Sequence, residues 1–215
     1  MQISRSLATL LLAIPALAAD APLPDLKVEP TGGGSLLTVK NTYSQPLAAF
    51  VIELVNYPGG TFSFVRDELG NSAIAAGDEK KITVANMTVG AVPDYVKMLA
   101  AIYLDGTTTG APDKLKELID RRKSKLTTTR ELIQRIEKAK AGGKQKEELL
   151  AELREWSNSF APIVKGVRAA PNPSQAAARV IVLTAASQIN TKGADEELAA
   201  LKTTELELAG SKPGL

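Results

Sequence analysis

The hydrophobic period of the chain changes at Gly110, and that change restricts the possible folds more than any other feature. Before Gly110, apolar and polar residues alternate in short runs broken by Gly and Pro. After it, apolar residues recur at spacings of three and four. The first period belongs to strands and the second to helices. An α+β chain follows, with antiparallel strands in its first half and helices in its second.

In the first half, Pro22, Pro24 and Pro30 exclude a helix from residues 19–34, an extended leader in which Asp25 to Glu29 forms a first edge strand. From Ser35 the strand pattern is continuous. Leu37 and Val39 alternate with Thr38 and Lys40, and Phe50, Ile52 and Leu54 share one face of Leu47 to Val55. Further strands are predicted over Thr61 to Arg66, Lys80 to Asn86 and Asp94 to Leu104. Short strands between Asn-, Gly- and Pro-rich turns predict a β-sandwich over residues 35–110. Asp105-Gly106 reads as a two-residue type I′ hairpin turn with φ > 0 at both positions. That turn accounts for Asp105 without a catalytic or calcium-binding role.

The second half, residues 111–208, predicts three or four helices. The first runs from Pro112 to Ala141, about 45 Å at the usual helical rise. Its stripe of Leu115, Leu118, Ile119, Leu126, Leu132, Ile133 and Ile136 is interrupted by Arg122 and Thr129, which suggests a partly solvated middle. Gly142-Gly143 ends it. A second helix places Leu149, Leu153, Trp156, Phe160, Ile163, Val164 and Val167 on one face, completing a helical hairpin. Asn172-Pro173-Ser174-Gln175 starts a third, whose apolar circumference predicts burial on several sides. Ala194 to Leu208 forms a fourth, and residues 209–215 read as a loose tail.

Arg5, the apolar run Leu7 to Leu17 and the Ala16-Leu17-Ala18 site have the layout of a secretory signal peptide over residues 1–18. The expected location is therefore periplasmic or extracellular. The run is too short to span a bilayer, which takes about 20 apolar residues. The chain has no Cys, so it forms no disulfide and depends on its core for stability. It also has no His. A Ser-His-Asp triad, a Cys nucleophile and the usual zinc sites are thereby excluded. No catalytic motif appears, and no catalytic, cofactor or metal residue is expected.

The strand half resembles an immunoglobulin-like or fibronectin-type module. The resemblance is carried by Val39 to Leu47, Ala76-Gly77-Asp78-Glu79, Lys81-Ile82-Thr83-Val84 and Ala100 to Thr107. The chain is similar to a group of uncharacterised exported bacterial proteins that place such a module before a charged helical segment. The resemblance spans roughly residues 25–110 and implies architecture; fold alone does not carry function.

The net charge of +2 hides a segregation. Residues 111–146 hold 12 basic and 5 acidic residues, whereas residues 1–110 hold 7 and 10. Arg121, Arg122, Lys123, Lys125, Arg130, Arg135, Lys138 and Lys140 are the candidate contacts of helix 113–146 to a membrane, a wall polymer or nucleic acid. The competing reading is a solvated face laced by pairs such as Glu117–Arg121 and Glu131–Arg135. Trp156, in register with Leu153 and Phe160, reads as packing rather than as a sugar platform. The neighbouring carboxylates Asp67-Glu68 and Asp78-Glu79 read as turn residues, and Asn86-Met87-Thr88 matches a glycosylation acceptor. The sequence thus predicts a non-enzymatic exported protein with an unknown protein partner. Anionic-surface association is the alternative, and an enzyme of unknown class comes third.

Overall fold

The computed structural model describes residues 21–56, 60–68, 72–85, 95–160 and 173–214. The expected signal peptide (residues 1–18), Tyr57-Pro58-Gly59, the Asn86 acceptor, Ile163, Val164, Val167 and Asn172 lie outside them. The chain is α+β, with seven strands followed by four helices: β1 (Asp25–Thr31), β2 (Gly34–Lys40), β3 (Leu47–Asn56), β4 (Gly60–Asp67), β5 (Glu79–Ala85), β6 (Tyr95–Tyr103), β7 (Thr108–Gly110), α1 (Pro112–Ala141), α2 (Lys146–Ser159), α3 (Pro173–Lys192) and α4 (Ala194–Ala209). The strands form two antiparallel sheets, in the orders β1-β2-β5 and β4-β3-β6-β7.

The two sheets share one core. Leu37, Val39 and Ile82 from the first meet Phe50, Ile52, Met98, Ala101 and Tyr103 from the second. The opposite face of β3 and β6 is apolar too. Ala49, Val51, Ala100 and Ile102 pack there under Leu115, Leu118 and Ile119 of α1. This explains why β3 reads as an almost unbroken apolar run: both of its faces are covered. Where Val51 pairs with Ala100 and Ile52 with Met98, Leu99 is left over as a bulge and packs on the α1 side.

Gly110 turns the last strand into the helix. Its φ is +107°, and a Cβ there would sit 2.2 Å from the Leu99 carbonyl oxygen. Ala111 then donates its N–H to that same oxygen at 2.8 Å, and Pro112 opens α1.

The first half of α1 therefore belongs to the sheet. Its second half belongs to a helical core in which Leu132, Ile133, Ile136 and Ala139 meet Leu149, Leu150 and Leu153 of α2, Val182, Ala185, Ala186 and Ile189 of α3, and Leu201 of α4.

Four expectations need correction. The β6–β7 turn is not type I′, because Gly106 alone in it has positive φ, at +96°. Gly106 donates its N–H to Tyr103 O at 3.0 Å and Tyr103 donates to Thr107 O at 2.9 Å, the pattern of a three-residue loop with a glycine bulge. Helix α2 ends at Ser159, and Phe160 is extended with ψ 157°. Helix α3 buries one stripe only; Val180 and Leu183 stay 49% and 40% exposed. The rest of its exposed face is polar, made of Gln175, Thr184, Ser187, Asn190, Thr191 and Lys192, while its alanines turn inward or sit at the edge of the buried stripe. Lastly, the tail is not loose. The Lys212 carbonyl accepts a 2.9 Å hydrogen bond from Arg122 Nη1.

Candidate functional site

Arg122 lies on α1 one turn from Leu118 and one turn from Leu126, in line with the buried stripe. Its side chain must therefore enter the interior, and it is 1% exposed. An unpaired guanidinium there would be costly, and three contacts offset that cost. Nε donates to Asp67 Oδ1 at 2.8 Å and Nη1 donates to the Lys212 carbonyl, while Nη2 lies at ion-pair distance, 2.7 Å, from the same Asp67 oxygen without a hydrogen bond of its own. The expectation that this part of α1 is partly solvated fails at Arg122 and at Thr129, also 1% exposed. The end of β4, the third turn of α1 and the C-terminal segment converge on this one guanidinium.

The other basic candidates divide into two groups. Arg121 pairs with Glu117 at 3.2 Å and Arg135 with Glu131 at 2.7 Å, the two i, i+4 pairs expected from the sequence. Arg130 reaches Glu205 of α4 at 2.8 Å, and Lys140 bonds Asp195 of α4. Glu137 and Lys202 add a third bridge between α1 and α4, at 2.7 Å. Among the described residues, Lys123, Lys125 and Lys138 have no carboxylate at ion-pair distance. Of the eight candidate cations, five are therefore engaged with the protein's own acids.

Trp156 is half-buried against the helical core, with Phe160 at 5.5 Å and the Arg135 guanidinium 4.3 Å from its ring centre. One ring face already carries a cation, which suits packing and not a sugar platform. The adjacent carboxylates go to different partners: Asp67 to Arg122, Glu68 to Lys80 at 2.7 Å. Asp105 accepts from the Thr107 N–H and hydroxyl, each at 2.9 Å, so its carboxylate serves the turn. No group of three or more acidic, His or Cys residues able to hold a metal occurs among the described residues.

Two shallow grooves of about 290 Å³ each run along α1 on either side of Ser174. One is lined by Asp113, Lys116, Glu117, Asp120 and Arg121, whose charges pair internally through Lys116–Asp120 and Glu117–Arg121. The other is lined by Ser124, Thr127, Thr128 and Glu131 with Phe160.

Two further polar residues organise the β region. Asn41, fully buried, donates Nδ2 to the Gln45 and Ile74 carbonyls at 2.8 and 2.9 Å and accepts the Tyr43 N–H at 3.0 Å. Tyr103 donates its hydroxyl to the Pro22 carbonyl at 2.7 Å and packs 4.6 Å from Tyr43. Burial, with a smaller contribution from Tyr43, pushes the Tyr103 phenol up to about 12.

Sequence reasoning missed Asp67, Lys212, Asn41 and Tyr103 as partners. One signal for the first was present: a cation at i+4 and i−4 from leucines on a buried stripe requires an acid from elsewhere in the chain. No known protein family, no curated protein and no solved structure matches the chain.

Proposed function

We propose that the chain is an exported, non-catalytic binding or structural protein that presents an immunoglobulin-like β-sandwich and a helical bundle as one rigid body. The observation that supports this reading best is the use made of the charged residues. Arg122 ties α1 to β4 and to the C-terminal segment, and three ion pairs tie α1 to α4. Those charges join elements and do not converge on a substrate-sized cleft. The strand orders β1-β2-β5 and β4-β3-β6-β7 support the immunoglobulin-like assignment, since the chain crosses between two sheets that share a core after β2, after β4 and after β5. The binding surface would be the module, the helices or both, and the partner a protein.

A thermal-shift survey tests the reading with three probes: an anionic polymer, a divalent cation and a set of oligosaccharides. A probe at 100-fold over its dissociation constant stabilises by about 2.7 kcal/mol, which is easily read. The protein-binding reading expects no shift from any of them. A cation or sugar shift would replace it with a small-ligand site. A shift from the polymer that disappears with salt would favour association of the basic helix with an anionic surface. Sequencing the exported protein tests the location, with Ala19 expected as its first residue.

A further inference from the structure

We propose that the α3–α4 hairpin opens at Gly193 and that α4 then docks on a second copy of this chain, which returns its own α4. The product is an exchanged dimer. This pairing of copies goes beyond the binding reading above and is independent of export and of any ligand.

Gly193 is the whole connection between the two helices. It sits at φ +99° and ψ 161°, a conformation that glycine alone adopts readily. Its N–H still donates to the Ile189 carbonyl of α3 at 3.0 Å, and its carbonyl already accepts the Glu197 N–H of α4 at 3.3 Å. Both bonds belong to the ladder of one continuous helix. Between them the ladder is broken. Helix α4 starts with no side-chain cap, and among the described residues the N–H groups of Ala194, Asp195 and Glu196 have no backbone acceptor. Turning Gly193 to helical angles aligns those three donors with the carbonyls of Asn190, Thr191 and Lys192. A single helix then runs from Pro173 to Ala209, about 55 Å long. The Lys192–Glu196 pair, already 3.5 Å apart across the hinge, keeps its i, i+4 spacing.

Helix α4 is lightly held. It fully buries only Leu201 and Leu208, and its ties to α1 are the surface pairs Arg130–Glu205, Glu137–Lys202 and Lys140–Asp195. Pairs of that kind contribute little each. All these contacts, and the Arg122–Lys212 bond, re-form unchanged on a second copy. They cancel, so the hinge and the concentration set the balance between hairpin and exchanged pair. Asp195, Glu196 and Glu197 in the first turn of α4 favour a free helix start, which keeps the closed hairpin populated.

The position of the hinge suits exchange. Lys140–Asp195 and the 2.7 Å bond from Lys146 Nζ to the Asn190 carbonyl place it at the far end of the bundle. The sheets grip α1 at its other end, through Leu115, Leu118 and Ile119. Two bundles can therefore meet end to end at their hinges, clear of both β regions.

The test uses the full chain, which has no Cys of its own. Lys140→Cys and Asp195→Cys are made in separate chains, mixed at high concentration and treated with a short bis-maleimide. Exchange links position 140 of one chain to position 195 of the other, as read by peptide mass. The same cysteines in a chain with Asn-Gly-Asn inserted after Gly193 give the background, because a longer hinge favours the closed hairpin. Light scattering measures the mass of the parent, of Gly193→Ala and of the lengthened chain, and circular dichroism establishes that each is folded. No atom lies within 4 Å of a Cβ at Gly193, so alanine alters backbone preference without a clash. Gly193→Ala should raise the association constant by about tenfold or more, since alanine resists the positive φ of the hairpin and favours the helix. The lengthened chain should be monomeric. A parent pair with no 140–195 link above background overturns the exchange. A dimer joined without that link, or a lengthened chain that dimerises as well as the parent, overturns it too.

Discussion

Arg122 and Asp67 are 55 residues apart in sequence, yet Nε of one donates to Oδ1 of the other across 2.8 Å. The pair is asymmetric. Arg122 is 1% exposed, whereas the Asp67 side chain keeps 19% of its surface in water. Removing the acid strands a buried cation, while removing the cation leaves an acid that water can still reach. Asp67→Ala should therefore cost about 3 kcal/mol or more. Arg122→Met, which fills the space without charge, should cost less. Urea unfolding of the two variants measures the order, and a costlier Arg122→Met would contradict it.

Gly106→Val should destabilise by about 1 kcal/mol or more, since a β-branched residue resists positive φ. A Cβ at that position would also lie 2.9 Å from Lys212 Cβ, so the substitution pushes on the C-terminal segment. Asp105→Asn should be nearly silent. The amide oxygen can still accept the Thr107 N–H, and the Thr107 hydroxyl can turn to accept. Thermal melts of both variants decide the matter.

Deleting residues 212–215 removes the acceptor of Arg122 Nη1. The expected loss is about 1.5 to 3 kcal/mol, as for a hydrogen bond to a charged group. Hydrogen exchange should rise in the third turn of α1 and at the end of β4 while staying unchanged at Leu153 in α2. Faster exchange confined to α4 would mean that the tail contact does not hold the junction.

Tyr103 gives a pH prediction. Its folded-state pKa is raised from 10.0 to about 12, so the folded protein holds the phenol proton more tightly than the unfolded chain. Stability from this group is complete below pH 10 and is lost as pH rises from 10 towards 12. Tyr103→Phe should lower stability at neutral pH by loss of the bond to Pro22, and should flatten that alkaline decline. Denaturant titrations at several pH values read both effects.

Neutralising Lys123, Lys125 and Lys138 together should change stability by less than about 0.5 kcal/mol, as is usual for surface substitutions. The protein-binding reading expects no retention of either protein on anionic vesicles at low salt. Retention of the parent, lost in the triple variant and with added salt, would establish a basic contact surface.

The change of period at Gly110 made the order of strands and helices legible, and it placed the ends of α1 correctly, at Pro112 and Ala141. Pairing across long sequence distances was not legible. Arg122 read as an interruption because periodicity reports which face a residue occupies, not which acid meets it there. The hairpin type was missed because Asp-Gly suits two loop lengths, and only the Tyr103–Thr107 register separates them. The leftover Leu99 has no sequence mark at all: the bulge arises from how β6 aligns on β3.

The length of α1 is also set by phase. Each residue advances a helix by about 100°, so one residue inserted between Arg122 and Leu132 would swing Leu132, Ile133 and Ile136 a quarter-turn or more away from their partners, with the sheet-bound half held still. Seven inserted residues nearly restore the angle but lengthen the helix by about 10 Å. Helix α4 runs back along α1 through Arg130–Glu205 and Lys140–Asp195 and delivers Lys212 to Arg122. It would then fall short of Arg122 by the same distance. Length variation in this chain should therefore come as matched two-turn changes in α1 and α4, or not within these helices at all.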